Sequence, residues 1–120
     1  MPHMVVAVDR ESSLLRGTLD LCVMALLSRE PSHAYGVVQR LGEYGFDQST
    51  HGTVYPLVTR LRRAGLVTQR TSRGHGGPSR HVLSLTAEGE RALQEWTAQW
   101  HTHRDRVDGL LSKEGVRHAG

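Results

Sequence analysis

The sequence predicts a mainly helical α+β fold, in which three helices are followed by a two-stranded hairpin and one long C-terminal helix. Apolar residues recur at three- and four-residue spacing in three separate stretches, which is the period of an amphipathic helix, and a fourth stretch is apolar over most of a helix circumference. A glycine-rich segment, Ser72–Ser79, separates two short stretches of strand-like composition. The 120 residues, 38% of them apolar, suffice for one compact core and not for two, so we expect one domain with an appendage.

The first predicted helix runs over about Leu14–Ser28. A preceding serine pair, Ser12-Ser13, can cap it, and its apolar residues cover so much of the circumference that it should be largely buried. The segment before it, Met1–Glu11, shows no sustained period and is predicted to be a flexible arm. Cys22 is the only cysteine, which excludes an intrachain disulfide. It lies in an apolar run of this helix, which predicts buried packing.

The second predicted helix follows a proline. Pro31 interrupts the helical pattern, and Ser32 directly after it can supply the N-cap of the next helix. We expect one face of this helix to be traced by Tyr35, Val37, Val38 and Leu41.

The third predicted helix is amphipathic and cationic. Ser49 or Thr50 can cap it, and Gly65 closes it. Its apolar stripe consists of Val54, Leu57, Val58 and Leu61. The opposite face is polar and positively charged, and it holds His51, Thr53, Tyr55, Pro56, Thr59, Arg60, Arg62 and Arg63.

Two short extended segments come next, Leu66–Thr71 and Arg80–Leu85, joined by the glycine-rich loop. A basic hairpin directly after a cationic helix can stand beside a nucleic-acid groove, an arrangement known as a wing. Together with the three helices, it predicts a winged helix-turn-helix domain over residues 12–86.

Residues 87–112 are predicted to form one long helix capped by Thr86, and a flexible tail is expected over residues 113–120. A seam of about two and a half heptads is marginal for a free helix in water, so this helix needs a partner surface. The simplest partner is a second copy of the chain, which predicts a homodimer. Residues of this helix recur at the a/d spacing of a coiled coil, and His103 is the one polar residue in the series. The apolar residues of this dimerisation seam are Leu93, Trp96, Trp100, Val107 and Leu110.

Positive charge is concentrated in one part of the chain. Residues 48–87 hold six arginines and no Asp or Glu, a charge of +6, whereas the rest holds nine basic and twelve acidic residues, a charge of −3. Such segregation is typical of a surface that neutralises phosphates. The alternative is a solvated arginine-rich face without a partner.

Other classes of protein are disfavoured by what the sequence lacks. It has neither an apolar stretch of the roughly 20 residues that span a membrane nor a secretory leader, so we expect a cytoplasmic protein without a membrane partner. It has no nucleophile elbow and no phosphate loop, and we predict neither enzyme activity nor a cofactor. Among its eight histidines, His101 and His103 form the best local metal pattern. Because residues two apart on a helix do not face each other, we predict no metal site.

Several motifs resemble those of the PadR-like transcriptional regulators. They are Tyr35-Gly36, Gly52–Leu57 with Arg60-Leu61, Gly65-Leu66, and Leu85-Thr86-x-x-Gly89. The resemblance covers about Leu14 to Leu111, and it departs near Leu83, where the family commonly has an aromatic residue. It implies a dimeric DNA-binding regulator, usually a repressor, of the short subgroup that has a single C-terminal dimerisation helix.

In a helix-turn-helix protein the third helix enters the major groove, and contacts to the DNA backbone fix its register. The residues expected to contact DNA are Thr50, His51, Thr53, Tyr55, Thr59 and Arg60 on this helix, with Arg73, His75 and Arg80 on the wing. A twofold dimer would place two third helices roughly 34 Å apart, which predicts an inverted-repeat operator in double-stranded DNA. Alternatively, Tyr55 can pack against the second helix, Arg62 and Arg63 can be ordinary solvated charge, and the wing can await DNA before it orders.

The two tryptophans, Trp96 and Trp100, lie one helical turn apart in the seam. Dimer packing is the simpler interpretation. Some PadR-like proteins hold flat aromatic compounds between subunits beside a tryptophan of this helix, so the resemblance also implies a planar aromatic effector that releases DNA. Trp100 is the nearer to the family's pocket position.

A rival hypothesis is a winged-helix module whose positive surface binds an acidic protein. A protein interface would normally show several aromatic anchors, whereas the sequence offers only Tyr55 on this face. The clustering of charge on a groove-sized helix and a glycine-rich wing therefore favours DNA.

Overall fold

The computed structural model describes residues 2–47, 51–73 and 79–112, and its elements follow the predicted order. Within these ranges the chain forms four helices and one antiparallel hairpin: α1 (Pro2–Arg29), α2 (Ala34–Glu43), α3 (His51–Arg63), β1 (Val67–Arg73), β2 (Ser79–Leu85) and α4 (Ala87–Leu111). The mainly helical α+β class with a winged arrangement is confirmed. No helix in these ranges combines the length and the apolar character that crossing a membrane requires.

A single buried cluster joins the C-terminal half of α1 to α2, α3 and the hairpin. Val23, Val37 and Val54 are fully buried, one on each of the first three helices, and Leu83 of β2 joins them from the hairpin. Burying an aliphatic side chain contributes roughly 1.5–3 kcal/mol, so these contacts determine which face of each helix points inward.

The hairpin is tied to the start of α2. The N–H of Ser32 donates to the carbonyl oxygen of Leu83 at 3.1 Å, and the N–H of Leu83 donates back to Ser32 at 2.8 Å. The prediction that Ser32 caps α2 is therefore wrong. The N-cap position is His33, which makes no side-chain cap bond, and the backbone of Ser32 instead forms an isolated antiparallel bridge to Leu83.

The first helix begins earlier than predicted. It starts at Pro2 rather than near Leu14, so residues 2–11, expected to be a flexible arm, are helical. Proline is tolerated in a first turn because the N–H that it lacks would have no helical partner there. No glycine or proline follows before Gly17, so the helix continues through the serines that were expected to cap it.

Glycines end α2 and α3 in the same manner. Gly45 and Gly65 have φ angles of +92° and +80°, in the left-handed region that favours glycine. After α3, the N–H of Leu66 donates to Leu61 at 3.0 Å and that of Gly65 donates to Arg62 at 3.0 Å, which is a Schellman cap. The predicted closure of α3 at Gly65 is confirmed, and the cap sets the direction in which β1 leaves the helix.

Candidate nucleic-acid interface

The outward face of α3 is polar because its apolar stripe is fully used by the core. Val54, Leu57, Val58 and Leu61 are buried, as predicted. The side chains on the remaining circumference are exposed, apart from a half-buried Thr59: His51, Thr53, Tyr55, Pro56, Arg60, Arg62 and Arg63. The helix therefore presents hydroxyl, imidazole and guanidinium groups together on one surface.

This face divides into two sides by helical position. His51, Tyr55, Thr59 and Arg62 follow one another at steps of four, four and three, and all line an open groove of about 520 Å³. Its other walls are the start of α2 and the strand residues Gln69, His81 and Leu83. Thr53 and Arg60 do not line this groove. The predicted contact residues of α3 thus occupy two adjacent sides of one surface.

An aromatic row crosses the groove. The ring of Tyr35 on α2 stacks on the imidazole of His51, with centroids 5.7 Å apart and planes inclined by 23°. The His51 ring lies 6.5 Å from that of Tyr55, tilted by 33°. The row joins the N-terminal turn of α2 to the N-terminal turn of α3.

Tyr35 corrects the sequence analysis, which assigned it to the apolar face of α2. It is 56% exposed, whereas Val37 and Leu41 are buried. The signal was present in the spacing, since Val37 and Leu41 are four residues apart and share a face, while Tyr35 lies two residues before Val37 and so points elsewhere. The outward surface therefore carries two tyrosines instead of one.

Tyr55 does not bury its ring against α2, the alternative considered from the sequence. Its side chain is 54% exposed, and its ring contact is with His51. Thr59 is less available than predicted, because its Oγ1 donates to the carbonyl oxygen of Tyr55 at 3.1 Å. That hydroxyl can still accept a hydrogen bond from outside.

Part of the predicted interface lies outside the described residues. Thr50 and His75 belong to that part. Arg73 and Arg80 lie in β1 and β2, where Arg73 pairs with Ser79 and Arg80 with Ser72 in the hairpin register, but their side chains are outside what the structure describes. The wing is therefore located by its strands.

The arginines of α3 are not neutralised within the described part of the chain. The ion pairs there join Arg40 to Glu30, Arg91 to Glu88, and Arg104 to Asp105, and none of them involves α3. Arg60, Arg62 and Arg63 can therefore direct their charge to a polyanion, for which an arginine fork is well suited.

The predicted dimerisation seam is used unevenly within the chain. Leu93 and Trp96 are half-buried and pack against the chain's own core. Towards its C-terminus α4 is more exposed: Trp100 is 37%, Val107 38% and Leu110 82% exposed. The end of α4 therefore leaves apolar surface, chiefly at Leu110, that the described residues of the same chain do not cover.

Two adjoining cavities lie along α1 beside the middle of α4, and one of them extends to the segment after α2. One of about 560 Å³ is lined by Leu14, Cys22, Phe46 and Trp100 among others. The other, of about 510 Å³, is bounded by Trp96, Trp100, His103 and Asp20. Trp100 borders both cavities, and its ring lies 6.5 Å from that of His103.

Cys22 is half-buried against the core. Burial raises the pKa of its thiol above the ordinary value, Asp20 adds to the increase, and a hydrogen bond with Thr18 opposes it. The protonated thiol is a weak nucleophile, which fits the predicted packing role. Among the described residues no group of three His, Cys, Asp or Glu side chains could hold a metal ion, His101 and His103 included.

Comparisons with known proteins agree with this architecture. The transcriptional regulator PadR-like family matches residues 23–95. A PadR family transcriptional regulator from Eggerthella lenta DSM 2243 is 35% identical, with 94% of this chain and 98% of that chain covered and a TM-score of 0.84. A PadR-like transcription factor from Bacteroides fragilis is 33% identical, with 85% and 98% covered and a TM-score of 0.71.

A third structure, Bacillus subtilis PadR in complex with operator DNA, is similar in fold. It is 23% identical, with 66% of this chain and 46% of that chain covered and a TM-score of 0.60. No curated protein matches the chain.

Proposed function

Because the chain belongs to the PadR-like family of transcriptional regulators, we propose that it binds an operator sequence in double-stranded DNA through α3 and the wing. Members of this family regulate transcription and are not enzymes. The observation that carries the proposal is the outward face of α3, where exposed arginines without acidic partners among the described residues adjoin the groove crossed by Tyr35, His51 and Tyr55.

The two sides of α3 suit different contacts. His51 and Thr53, at the start of the helix, are short enough to reach base edges or phosphates in the major groove. The hydroxyls of Tyr35 and Tyr55 and the guanidinium of Arg62 suit phosphates, which fix the register of the helix without reading sequence. Arg60 would contact the backbone from the other side. Thr50, Thr59 and the wing residues Arg73, His75 and Arg80 complete the proposed interface.

The structure of Bacillus subtilis PadR in complex with operator DNA supports operator DNA as the partner, since that protein has the same fold. The rival interpretation, a module for an acidic protein, gains a second exposed aromatic in Tyr35. The family match nevertheless favours DNA over that partner.

We propose that the functional unit is a homodimer joined through α4. Val107 and Leu110 leave an apolar surface that a second copy could cover, and burying such groups is the main driving force of association. Leu93 and Trp96 would contribute from the side already packed on the core. A twofold dimer would present two copies of α3 to an inverted repeat.

We further propose that the protein is a cytoplasmic repressor released by a planar aromatic compound. The two cavities between α1 and α4 are large enough for such a molecule, and Trp96 and Trp100 could stack on it. A ligand held there would shift α4 relative to its partner and change the distance between the two copies of α3. It can do so only if it binds the DNA-free arrangement more tightly.

A gel-shift titration with the DNA upstream of the gene tests DNA binding. A specific shift is expected whose affinity falls by roughly a thousandfold between about 50 and 200 mM salt, as phosphate contacts require. Scrambled DNA of equal length should bind more weakly at both salt concentrations. Equal binding to both DNAs, insensitive to salt, would refute the proposal.

A further inference from the structure

The first turn of α4 is bonded directly to the end of α3. Thr86, the N-cap of α4, donates its hydroxyl to the carbonyl oxygen of Gly65 at 2.7 Å, and its N–H donates to that of Leu66 at 3.0 Å. The same hydroxyl accepts the N–H of Gly89 at 3.0 Å. Because Gly65 and Leu66 form the C-terminal cap of α3, one side chain holds two helix ends together.

Gly89 allows these two ends to come close. It is buried, and a Cβ atom at this position would overlap the carbonyl oxygen of Leu66. That neighbour is backbone and cannot rotate away as a flexible side chain can. A larger residue at position 89 would therefore force α4 away from the end of α3.

A hydrogen bond from Ser28 of α1 also holds the first turn of α4. The hydroxyl of Ser28 lies 3.1 and 3.0 Å from the two carboxylate oxygens of Glu90 and donates to this carboxylate. The pair is exposed, so it contributes little to stability, but it restrains α4 from a direction different from that of Thr86. The start of α4 is thus held by both α1 and α3.

We propose that Thr86 and Gly89 are positioning residues that fix the angle between α4 and α3, and with it the half-site spacing that the dimer reads. The inference rests on the proposed function: α4 joins the two copies, and α3 reads the DNA. In such a dimer, the distance between the two copies of α3 depends on the angle between α3 and α4 within each subunit. We call the contact between the end of α3 and the start of α4 the α3–α4 joint. If this joint were flexible, each α3 could bind its half-site at a range of spacings.

The test measures affinity for inverted repeats whose half-site spacing is lengthened or shortened by one or two base pairs. Each base pair moves the half-sites by about 3.4 Å and rotates them by about 35°. The wild type should lose at least roughly tenfold in affinity at each altered spacing, on the scale of a mismatched site. Thr86→Val, which lacks the hydroxyl, should bind all spacings within about threefold of one another.

The variant Thr86→Asp distinguishes the role of Thr86 as a helix cap from its role in the α3–α4 joint. A carboxylate caps a helix well, so the Gly89 N–H keeps its acceptor, but it has no proton to donate to Gly65. This variant should fold like the wild type and still lose the spacing preference, whereas Thr86→Ser should keep it. Thr97→Val is the matched control, since the Thr97 hydroxyl donates to the carbonyl oxygen of Leu93 within the same helix.

A spacing profile for Thr86→Asp equal to that of the wild type would reduce Thr86 to a helix cap and overturn the proposal. A parallel loss of affinity at every spacing would overturn it as well, because that pattern reports lost stability alone.

A measurement without DNA tests the joint itself. Spin labels on Arg63→Cys and Ala98→Cys, in a Cys22→Ala chain diluted with unlabelled chain, report the distance between α3 and α4. The distance distribution should broaden in Thr86→Asp, and an unchanged width would contradict the joint. If the wild type bound no operator at any spacing, the proposed function would fail, while the label distances would still decide whether the joint exists.

Discussion

Two neighbouring arginines of α3 lie in different surroundings. Arg62 lines the groove with His51 and Tyr55, whereas Arg60 is on the side of the outward face that carries Thr53. From the sequence alone, Arg60 is a predicted DNA contact, whereas Arg62 fits a solvated charge equally well. Arg62 lies on the same side of α3 as the aromatic row, so we expect it to contact DNA as much as Arg60 does.

Arg60→Ala should weaken DNA binding without unfolding the protein, since the side chain is exposed on a helix whose opposite face forms the core. If it contacts only a phosphate, affinity for all sequences should fall alike, and the salt slope should decrease by about one. Gel shifts over a range of salt and a thermal melt measure both effects. Arg91→Ala on α4 should change neither. A melting point several degrees lower with unchanged operator affinity would instead identify a structural arginine.

Cys22 offers a prediction about pH. Burial raises the pKa of its thiol, so the unfolded chain ionises first, and the stability that comes from keeping the thiol protonated is complete at low pH. It should be lost as the pH rises from about 8.5 through the folded-state pKa. Denaturant unfolding from pH 7 to 10 should show a steeper loss for the wild type than for Cys22→Ala. Parallel curves for the two proteins would show that the environment of Cys22 does not disfavour its thiolate.

Among the elements, α4 combines two tasks along its length. Its first half packs on the core through Leu93 and Trp96, and its last turns expose Val107 and Leu110. A continuous heptad pattern does not distinguish these halves, because contacts within a chain and contacts between chains require the same apolar spacing. The sequence therefore predicts the helix but not which part of it remains uncovered.

Leu110→Asp should dissociate the proposed dimer and abolish tight operator binding, because a carboxylate in an apolar interface is desolvated without a partner. The fold of the single chain should persist, since Leu110 is 82% exposed. Sedimentation and a thermal melt check both statements. Leu93→Asp should also lower the melting point, because Leu93 packs within the chain. An unchanged dimer in the Leu110 variant would remove the end of α4 from the interface.

The elements that the sequence predicts well are those whose signals lie within the element itself. The helix α3 follows from its apolar spacing and from Gly65, and the hairpin follows from the glycine-rich segment, because each signal is local. The strands reach further than predicted, since Ser72, Arg73 and Ser79 belong to them and not to the loop.

The pairing of Ser32 with Leu83 and the stacking of Tyr35 on His51 depend on distant residues, whereas the exposure of Tyr35 alone follows from its spacing to Val37. A periodicity cannot report a partner some 50 or 16 positions away. The early start of α1 does not follow from the pattern, because Ser12-Ser13 resembles a helix cap.

Over the whole molecule, the surface proposed for DNA and the uncovered apolar surface lie on different elements. The first belongs to α2, α3 and the hairpin, and the second to the end of α4. The cavities beside Trp100 lie near the second surface. A signal that enters there can reach α3 through the start of α4, through the core, or through Gly45–Asp47, which line one cavity on the segment that leads to α3.

Planar aromatic compounds, neutral or cationic, should quench tryptophan fluorescence and weaken operator binding. Trp100→Ala should lose more of both effects than Trp96→Ala, because Trp100 borders both cavities and Trp96 packs against the core. Fluorescence titration and gel shifts with a panel of such compounds measure the two effects. If the panel has no effect and Trp100→Ala merely loses stability, the rings serve packing and the signal enters elsewhere.

The pairing of Ser32 with Leu83 has a consequence for how such a protein can diverge. It fixes the base of the hairpin to α2, while the register carries the far end of the strands, at Arg73 and Ser79, six pairs beyond Val67 and Leu85. Insertions or deletions between Arg73 and Ser79 should leave the buried cluster intact, because the sequence there, Gly74 to Pro78, carries no large apolar side chain. Descendants of this chain could therefore change the length of the wing, and with it the reach over DNA, without rebuilding the helices that hold it.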